Sequence, residues 1–87
     1  MAVVWIPSMM RELTAGQEKV RAPGATLGEV IEAIERVHPG VRDRLLSRGG
    51  LAPGVMAMVD GKRALRGLQE HVGEESEVRF LPIMAGG

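Results

Sequence analysis

The 87-residue sequence contains no cysteine. This absence excludes a disulfide framework, a thiolate nucleophile and a cysteine zinc site, so no sulfur chemistry takes place on a thiol side chain of this protein. The only two histidines, His38 and His71, are too few and too far apart in the sequence to hold a metal ion alone. We therefore expect the chain to bind no metal and no cofactor of its own.

Net charge and long hydrophobic runs are also lacking. Eleven basic and eleven acidic residues cancel, so no net field draws the chain to nucleic acid or to anionic lipid. No stretch approaches the roughly 20 apolar residues of a membrane helix, and the apolar run over residues 1–6 is too short for a signal sequence. We therefore expect a cytoplasmic protein with neither nucleic acid nor membrane as a partner.

Catalytic motifs are missing as well. Gly61-Lys62 looks like the end of a phosphate-binding loop, but Arg63 stands where such a loop has the Ser or Thr that holds magnesium. No Gly-x-Ser-x-Gly elbow occurs. The carboxylates of Glu74-Glu75 lie in a charged turn typical of a solvated surface. We therefore predict that the chain is not an enzyme by itself.

The length of the chain restricts it to one domain. The clearest structural signal is a helix near the middle of the sequence. Thr26 and Glu29 form a capping box directly ahead of an apolar stripe with helical spacing. The stripe consists of Leu27, Val30, Ile31, Ile34 and Val37. The helix should end near His38, because Pro39 disfavours helical geometry in the residue before it.

Short β-branched segments bounded by proline and glycine predict five strands. They cover residues 2–6, 18–22, 55–59, 62–65 and 77–81. We expect one or two helical turns over residues 41–47, a loop over 48–54, and a last strand that ends at Pro82. The order predicts an α+β fold in which one face of a sheet covers the helix and the other meets solvent.

Period-two alternation divides the apolar strand residues between the two faces of the sheet. The inner face, towards the helix, collects Val4, Ile6, Val55, Ala57, Val59, Val78 and Phe80. The outer face collects Val3, Trp5, Met56, Met58 and Leu81. Apolar residues on a solvent face indicate a partner-docking patch, with Trp5 as the anchor and the methionines as adaptable contacts. The alternative is a different strand register that places Trp5 in the core.

The chain ends in Ile83-Met84-Ala85-Gly86-Gly87. Beyond Pro82 we expect no ladder partner, so we predict a domain over residues 1–82 and a flexible tail over 83–87 that reaches roughly 17 Å. Two glycines at its tip fit a channel too narrow for a Cβ atom and present the terminal carboxylate. Many chains also end in disordered small residues, so this pattern alone leaves the role of the tail open.

The whole pattern resembles the ubiquitin-like sulfur carriers, which have the β-grasp fold with a mixed sheet packed on one main helix. The residues that carry the resemblance are Ile6-Pro7, Leu13-Thr-x-Gly-Gln17, Gly24-Ala-Thr-Leu-Gly-Glu-Val-Ile31, Pro39-Gly-Val, Arg44-Leu-Leu and Leu81-Pro-x-x-Ala-Gly-Gly87. The chain is similar over its length to the molybdopterin synthase small subunit and the thiamine sulfur carrier, and looks closest to the carrier for cysteine biosynthesis. Residues 49–54 and 64–72 lack the expected family features, which leaves the pathway open.

The resemblance implies that Gly87 is the working residue, preceded by Gly86, and that an E1-like enzyme adenylates its carboxylate with ATP and magnesium. Conversion to a thiocarboxylate follows, and the sulfur passes to a cysteine synthase-like enzyme, a molybdopterin synthase large subunit or a thiazole synthase. A free carboxylate, with a pKa of about 3.3 to 3.7, is too poor an electrophile without this activation. Partners would contact Ile83, Met84 and Ala85 together with the outer face.

Two other functions use the same terminus. In the first, the chain is a covalent protein modifier and Gly87 forms an isopeptide bond with a lysine. In the second, the chain is the non-catalytic small subunit of a molybdopterin synthase, and the tail stays inserted near the active site of another chain. In each case the chain is a carrier or subunit on which partner enzymes act.

Overall fold

A computed structural model describes residues 1–83 of the chain. Five strands form one mixed sheet: Ala2–Trp5 (β1), Lys19–Ala22 (β2), Val55–Val59 (β5), Lys62–Arg63 (β6) and Glu77–Pro82 (β7). Their order across the sheet is β2-β1-β7-β5-β6. The central strands β1 and β7 run parallel, and the other neighbours are antiparallel. The main helix, α1 (Leu27–Val37), packs on one face of this sheet, which confirms the predicted α+β arrangement.

The helix α1 begins and ends close to the predicted residues. The Thr26 hydroxyl oxygen accepts the Glu29 backbone N–H at 3.2 Å, and the Glu29 carboxylate in turn accepts the Ala25 N–H at 3.0 Å. Four members of the apolar stripe are buried against the sheet: Leu27, Val30, Ile31 and Ile34. The fifth, Val37, is 70% exposed, because the last turn of the helix extends beyond the core.

The two sheet faces follow the predicted alternation. All inner-face residues are buried except Val55, which is half-buried. On the outer face Trp5 is half-buried and Leu81 is 40% exposed, so Trp5 does not belong to the core. The predicted register is therefore confirmed and the alternative register is wrong.

Two segments differ from the sequence-based expectation. Residues Ser8–Thr14 form a 3-10 helix that buries Met10 and Thr14, although we predicted no helix or strand there. Residues 46–51 form a small hairpin of β3 (Leu46–Ser47) and β4 (Gly50–Leu51), so both the helical ending at residue 47 and the loop over 48–54 were wrong. Arg48 and Gly49 make its turn with φ values of 53° and 82°, and a two-residue hairpin turn of this kind needs positive φ at both positions.

A second helix, α2 (Val41–Leu45), is held to α1 by carboxylates. Glu35 accepts the backbone N–H of Arg42 at 2.8 Å and that of Gly40 at 3.2 Å, and these bonds lower the pKa of Glu35. The Arg42 guanidinium also pairs with Glu32 at 2.7 Å. These contacts hold the start of α2 against α1.

Pro82 is the last residue of β7, as predicted, but backbone pairing reaches one residue further. It pairs with Val55, and the next residue, Ile83, donates its N–H to the Gly54 carbonyl at 2.8 Å. Ladder bonds alternate along an antiparallel strand, so the nitrogen of Pro82 faces away from β5, towards the side where β1 has already ended at Trp5. The proline thus removes no ladder bond, and our expectation of no ladder partner beyond it was wrong.

The Asp60-Gly61 turn joins β5 to β6 and carries a hydrogen-bond network. The two Asp60 carboxylate oxygens accept the Ser76 hydroxyl at 2.6 Å and the Glu77 N–H at 2.9 Å. Ser76 is buried, and its oxygen accepts the Gly73 N–H at 2.8 Å. The Ser76 bond, and then the Glu77 bond, lower the pKa of Asp60 below its usual 3.8.

Asp60→Asn is therefore expected to destabilise the fold by about 1 kcal/mol at neutral pH, since the side chain is largely exposed and a charged acceptor is lost. The folded pKa is depressed, so the carboxylate contributes stability above the unfolded pKa and loses it as pH falls through the folded one. Chemical denaturation at pH 7 and at pH 3 measures the effect. We expect the difference between the two proteins to shrink at pH 3, and a difference independent of pH would contradict this role of the carboxylate.

Candidate functional site

The predicted site residues fall into two groups. Trp5, Met56, Met58 and Leu81 lie together on the outer face, as the alternation predicted. Ile83 follows directly, is 44% exposed, and is bound through its backbone to Gly54. The remaining predicted residues, Met84, Ala85, Gly86 and Gly87, lie outside the described residues.

The surroundings of Trp5 are charged as well as apolar. Its cross-strand neighbours are Lys19 on β2 and Arg79 on β7. The Arg79 guanidinium carbon lies 4.4 Å from the ring centroid and the Lys19 nitrogen 5.3 Å from it, both within cation–π range. The indole N–H donates to the Glu77 carboxylate at 2.9 Å. Trp5 is thus held in one orientation by three charged side chains, so the outer face is not the purely apolar patch that we predicted.

The outer face is positively charged overall. Besides Lys19 and Arg79, the side chains of Arg21 and Arg63 share it, opposite Val3 and Met58 respectively, and all four cations are exposed. Glu77 is the carboxylate that accompanies them on the strands described here. Because the whole chain is neutral, the rest of the surface carries the compensating excess of carboxylates.

Strand parity could have revealed these cations from the sequence. Arg79 has the same parity as Leu81, and it was left out because only apolar positions were considered. The pairing of Lys19 with Trp5 has no such signal, since it depends on the register of the β1–β2 pair.

Among residues 1–83, the other candidate features do not bring together a set of groups that could act in catalysis. A cleft of about 640 Å³ beside α1 contains Glu29 and Glu32, but these carboxylates bind Ala25 and Arg42. Within residues 1–83, no three side chains of the metal-binding types gather as a site. None of the helices in that range is long and apolar enough to cross a membrane.

Comparison with known proteins decides the family. A model of the ThiS family matches residues 4–87, which is nearly the whole chain. The chain belongs to the ThiS family. One relative of similar sequence is the sulfur carrier protein CysO of Mycobacterium tuberculosis. The two sequences are 37% identical over 89 aligned residues, which cover 97% of this chain and 96% of CysO.

Solved structures agree with the ThiS assignment. The fold matches a chain in the crystal structure of the Amycolatopsis orientalis BexX/CysO complex, with a TM-score of 0.92, 31% identity and full coverage of both chains. It also matches the small archaeal modifier protein 1 of Methanosarcina acetivorans, with a TM-score of 0.80 over 99% of this chain and 95% of that one. The identity there is 20%, so the second likeness concerns the fold alone. The predicted β-grasp fold is thereby confirmed.

Proposed function

We infer that this chain is a sulfur carrier protein of the ThiS family that serves cysteine biosynthesis. The observation that carries this inference is the 37% identity to the sulfur carrier CysO across almost the full length of both proteins. The chain is not the catalyst in this role. Partner enzymes act on it, as the resemblance of the tail to the sulfur carriers implies.

The reactive group is the α-carboxylate of Gly87, a residue that lies within the ThiS match. In the first step a carboxylate oxygen attacks the α-phosphorus of ATP on an E1-like enzyme, and magnesium pyrophosphate leaves. In the second step sulfide attacks the acyl carbon of the resulting adenylate, the bond between this carbon and the bridging oxygen breaks, and AMP leaves with that former carboxylate oxygen. The thiocarboxylate then donates its sulfur to an acceptor enzyme of the cysteine synthase type. Splitting the substitution in this way makes each step easier than direct attack on a carboxylate.

The outer face docks the E1-like enzyme in this proposal. Trp5 supplies a rigid aromatic anchor, and Met56 and Met58 supply adaptable contacts beside it. Because Lys19 and Arg79 flank the ring, the complementary enzyme surface is apolar at its centre and acidic around it. Leu81, Ile83, Met84 and Ala85 then lead the chain from this face into the active site of the enzyme.

Intact mass spectrometry of the chain, after incubation with its E1-like enzyme, ATP, magnesium and sulfide, tests the proposal. We expect a species in which one oxygen is replaced by sulfur, located at Gly87 by fragmentation. A chain without Gly86 and Gly87 is the control and should keep its mass. An unchanged mass of the full chain would contradict the sulfur-carrier function. A main product that consists of conjugates to other proteins, stable to reducing denaturation, would contradict it as well.

A further inference from the structure

A second surface lies at the start of the tail, beside the end of β7, and shares Leu81 with the outer face. It is a groove of about 480 Å³ between the first 3-10 helix, the end of α2 and the end of β7. We call it the tail-root groove. The side chains that matter for its chemistry are Met9, Met10, Arg44, Leu45, Phe80 and Pro82.

The groove is open because β1 is shorter than β7. The two strands pair only as far as Trp5 with Arg79, and the chain then turns away at Pro7 into the 3-10 helix. Phe80 and Pro82 therefore continue along β7 without β1 beside them. Met9 stands at the rim with 75% of its surface exposed, although an apolar side chain gains nothing from this exposure.

One rim of the groove carries the guanidinium of Arg44. Arg44 pairs with Glu12 at 3.4 Å, and the two side chains are 47% and 72% exposed. A pair this exposed contributes little, and the guanidinium has five N–H donors. Arg44 therefore keeps the capacity to bind a further carboxylate beside the apolar part of the groove.

The length of the tail limits the distance between this groove and an enzyme that acts on Gly87. Four residues follow Ile83, and at about 3.3 to 3.6 Å each they span no more than roughly 14 Å. An enzyme that holds Gly87 in its active site must therefore bring its surface within that distance of Ile83. Pro82, the residue before Ile83, lines the groove, so the groove is within reach of that enzyme surface.

We propose that the tail-root groove is a second docking site for the adenylating enzyme, which inserts an apolar side chain beside Met9 and Phe80 and places a carboxylate opposite Arg44. This proposal rests on the proposed function, because it requires an enzyme that acts on Gly87. Contacts in the groove and on the outer face together fix the position of the end of β7 on the enzyme. They thereby orient the start of the tail before the tail enters the active site.

The variants Met9→Glu and Arg44→Glu test the groove. Their steady-state adenylation at Gly87 is measured by pyrophosphate exchange. Each is expected to raise KM for the carrier at least about tenfold, the effect of losing one well-packed contact, and to leave kcat within about twofold. Leu65→Glu and Arg48→Glu are the matched controls: both residues are exposed and neither lines the groove. The controls should keep the KM of the wild-type chain, and all four variants should keep its thermal unfolding midpoint.

A measurement on the unmodified sequence complements the variants. With methionine methyl groups labelled, addition of the E1-like enzyme without ATP should shift the NMR signal of Met9 as well as those of Met56 and Met58. Met1 is the internal control, because it precedes β1 at the end of the sheet away from the tail. This readout does not depend on whether any variant folds.

Three results would overturn the groove proposal and leave the sulfur-carrier function intact. The first is an adenylated wild-type chain whose Met9 and Arg44 variants have the same KM as the controls. The second is a Met9 signal that does not respond to the enzyme while Met56 and Met58 do. The third is a Met9 signal that changes, without enzyme, on removal of residues 84–87 or on dilution, which would assign the groove to the chain's own tail or to a second copy. Failure of the wild-type chain to be adenylated at all would instead contradict the proposed function.

Discussion

Gly87→Ala, or the addition of one residue after Gly87, is expected to lower adenylation at least about 100-fold while the domain stays folded. An added Cβ atom has no room in a channel that admits only backbone, and an added residue moves the carboxylate away from the α-phosphorus of ATP. A displacement of about 1 Å from the reactive geometry is enough to cost roughly 100-fold. Pyrophosphate exchange measures the loss, and thermal unfolding shows whether the domain is intact.

Gly50→Ala is the matched control for this experiment. A Cβ atom at Gly50 meets nothing within 4 Å, and the backbone there has no positive φ, so the same chemical change is tolerated at this position. The control should be adenylated like the wild-type chain. Adenylation of Gly87→Ala at the wild-type rate would show that the tail does not pass through a channel restricted to glycine.

Trp5→Asp is expected to weaken binding of the activating enzyme at least about tenfold, because buried tryptophan anchors are among the strongest contacts at interfaces. The fold should persist, since the ring lies on the outer face and is only half-buried. The new carboxylate also lies between Lys19 and Arg79, which carry the opposite charge. Titration calorimetry with the enzyme gives the affinity, and circular dichroism gives the folded state.

Trp5→Phe distinguishes the roles of the ring and of its charged neighbours. Phenylalanine keeps an aromatic face for the two cations but cannot donate to Glu77, so we expect a smaller loss of affinity than for Trp5→Asp. Equal affinity of Trp5→Asp and the wild-type chain would exclude Trp5 as an anchor. Global unfolding of Trp5→Asp would show that the outer face is needed for the fold itself.

Local patterns predicted the elements whose stabilising contacts are close in sequence. The hydrogen bonds that cap α1 join residues three and four apart, Thr26 with Glu29 and Ala25 with Glu29. The capping-box motif in the sequence predicts such bonds. The strand Val55–Val59 also agrees with prediction. The hairpin over residues 46–51 was missed because its two-residue strands are too short to show alternation.

The residue after Pro82 was misjudged for a reason that no local pattern contains. Whether backbone pairing continues to Ile83 depends on which neighbouring strand the Pro82 nitrogen faces, and therefore on where β1 stops. The same geometry creates the tail-root groove, since the early end of β1 leaves the last part of β7 uncovered on one side. Neither result follows from the residues around position 82.

The amino-acid sequence by itself determined the capped helix, the division of apolar residues between the sheet faces and the glycine ending that resembles sulfur carriers, because these depend on residue type and short spacings. The tertiary structure decided what surrounds Trp5. Its indole donates to Glu77, 72 residues away in the chain, and its ring lies against cations from two neighbouring strands. Such contacts exist only once strand register is set, and register is a property of paired segments that are distant in the sequence.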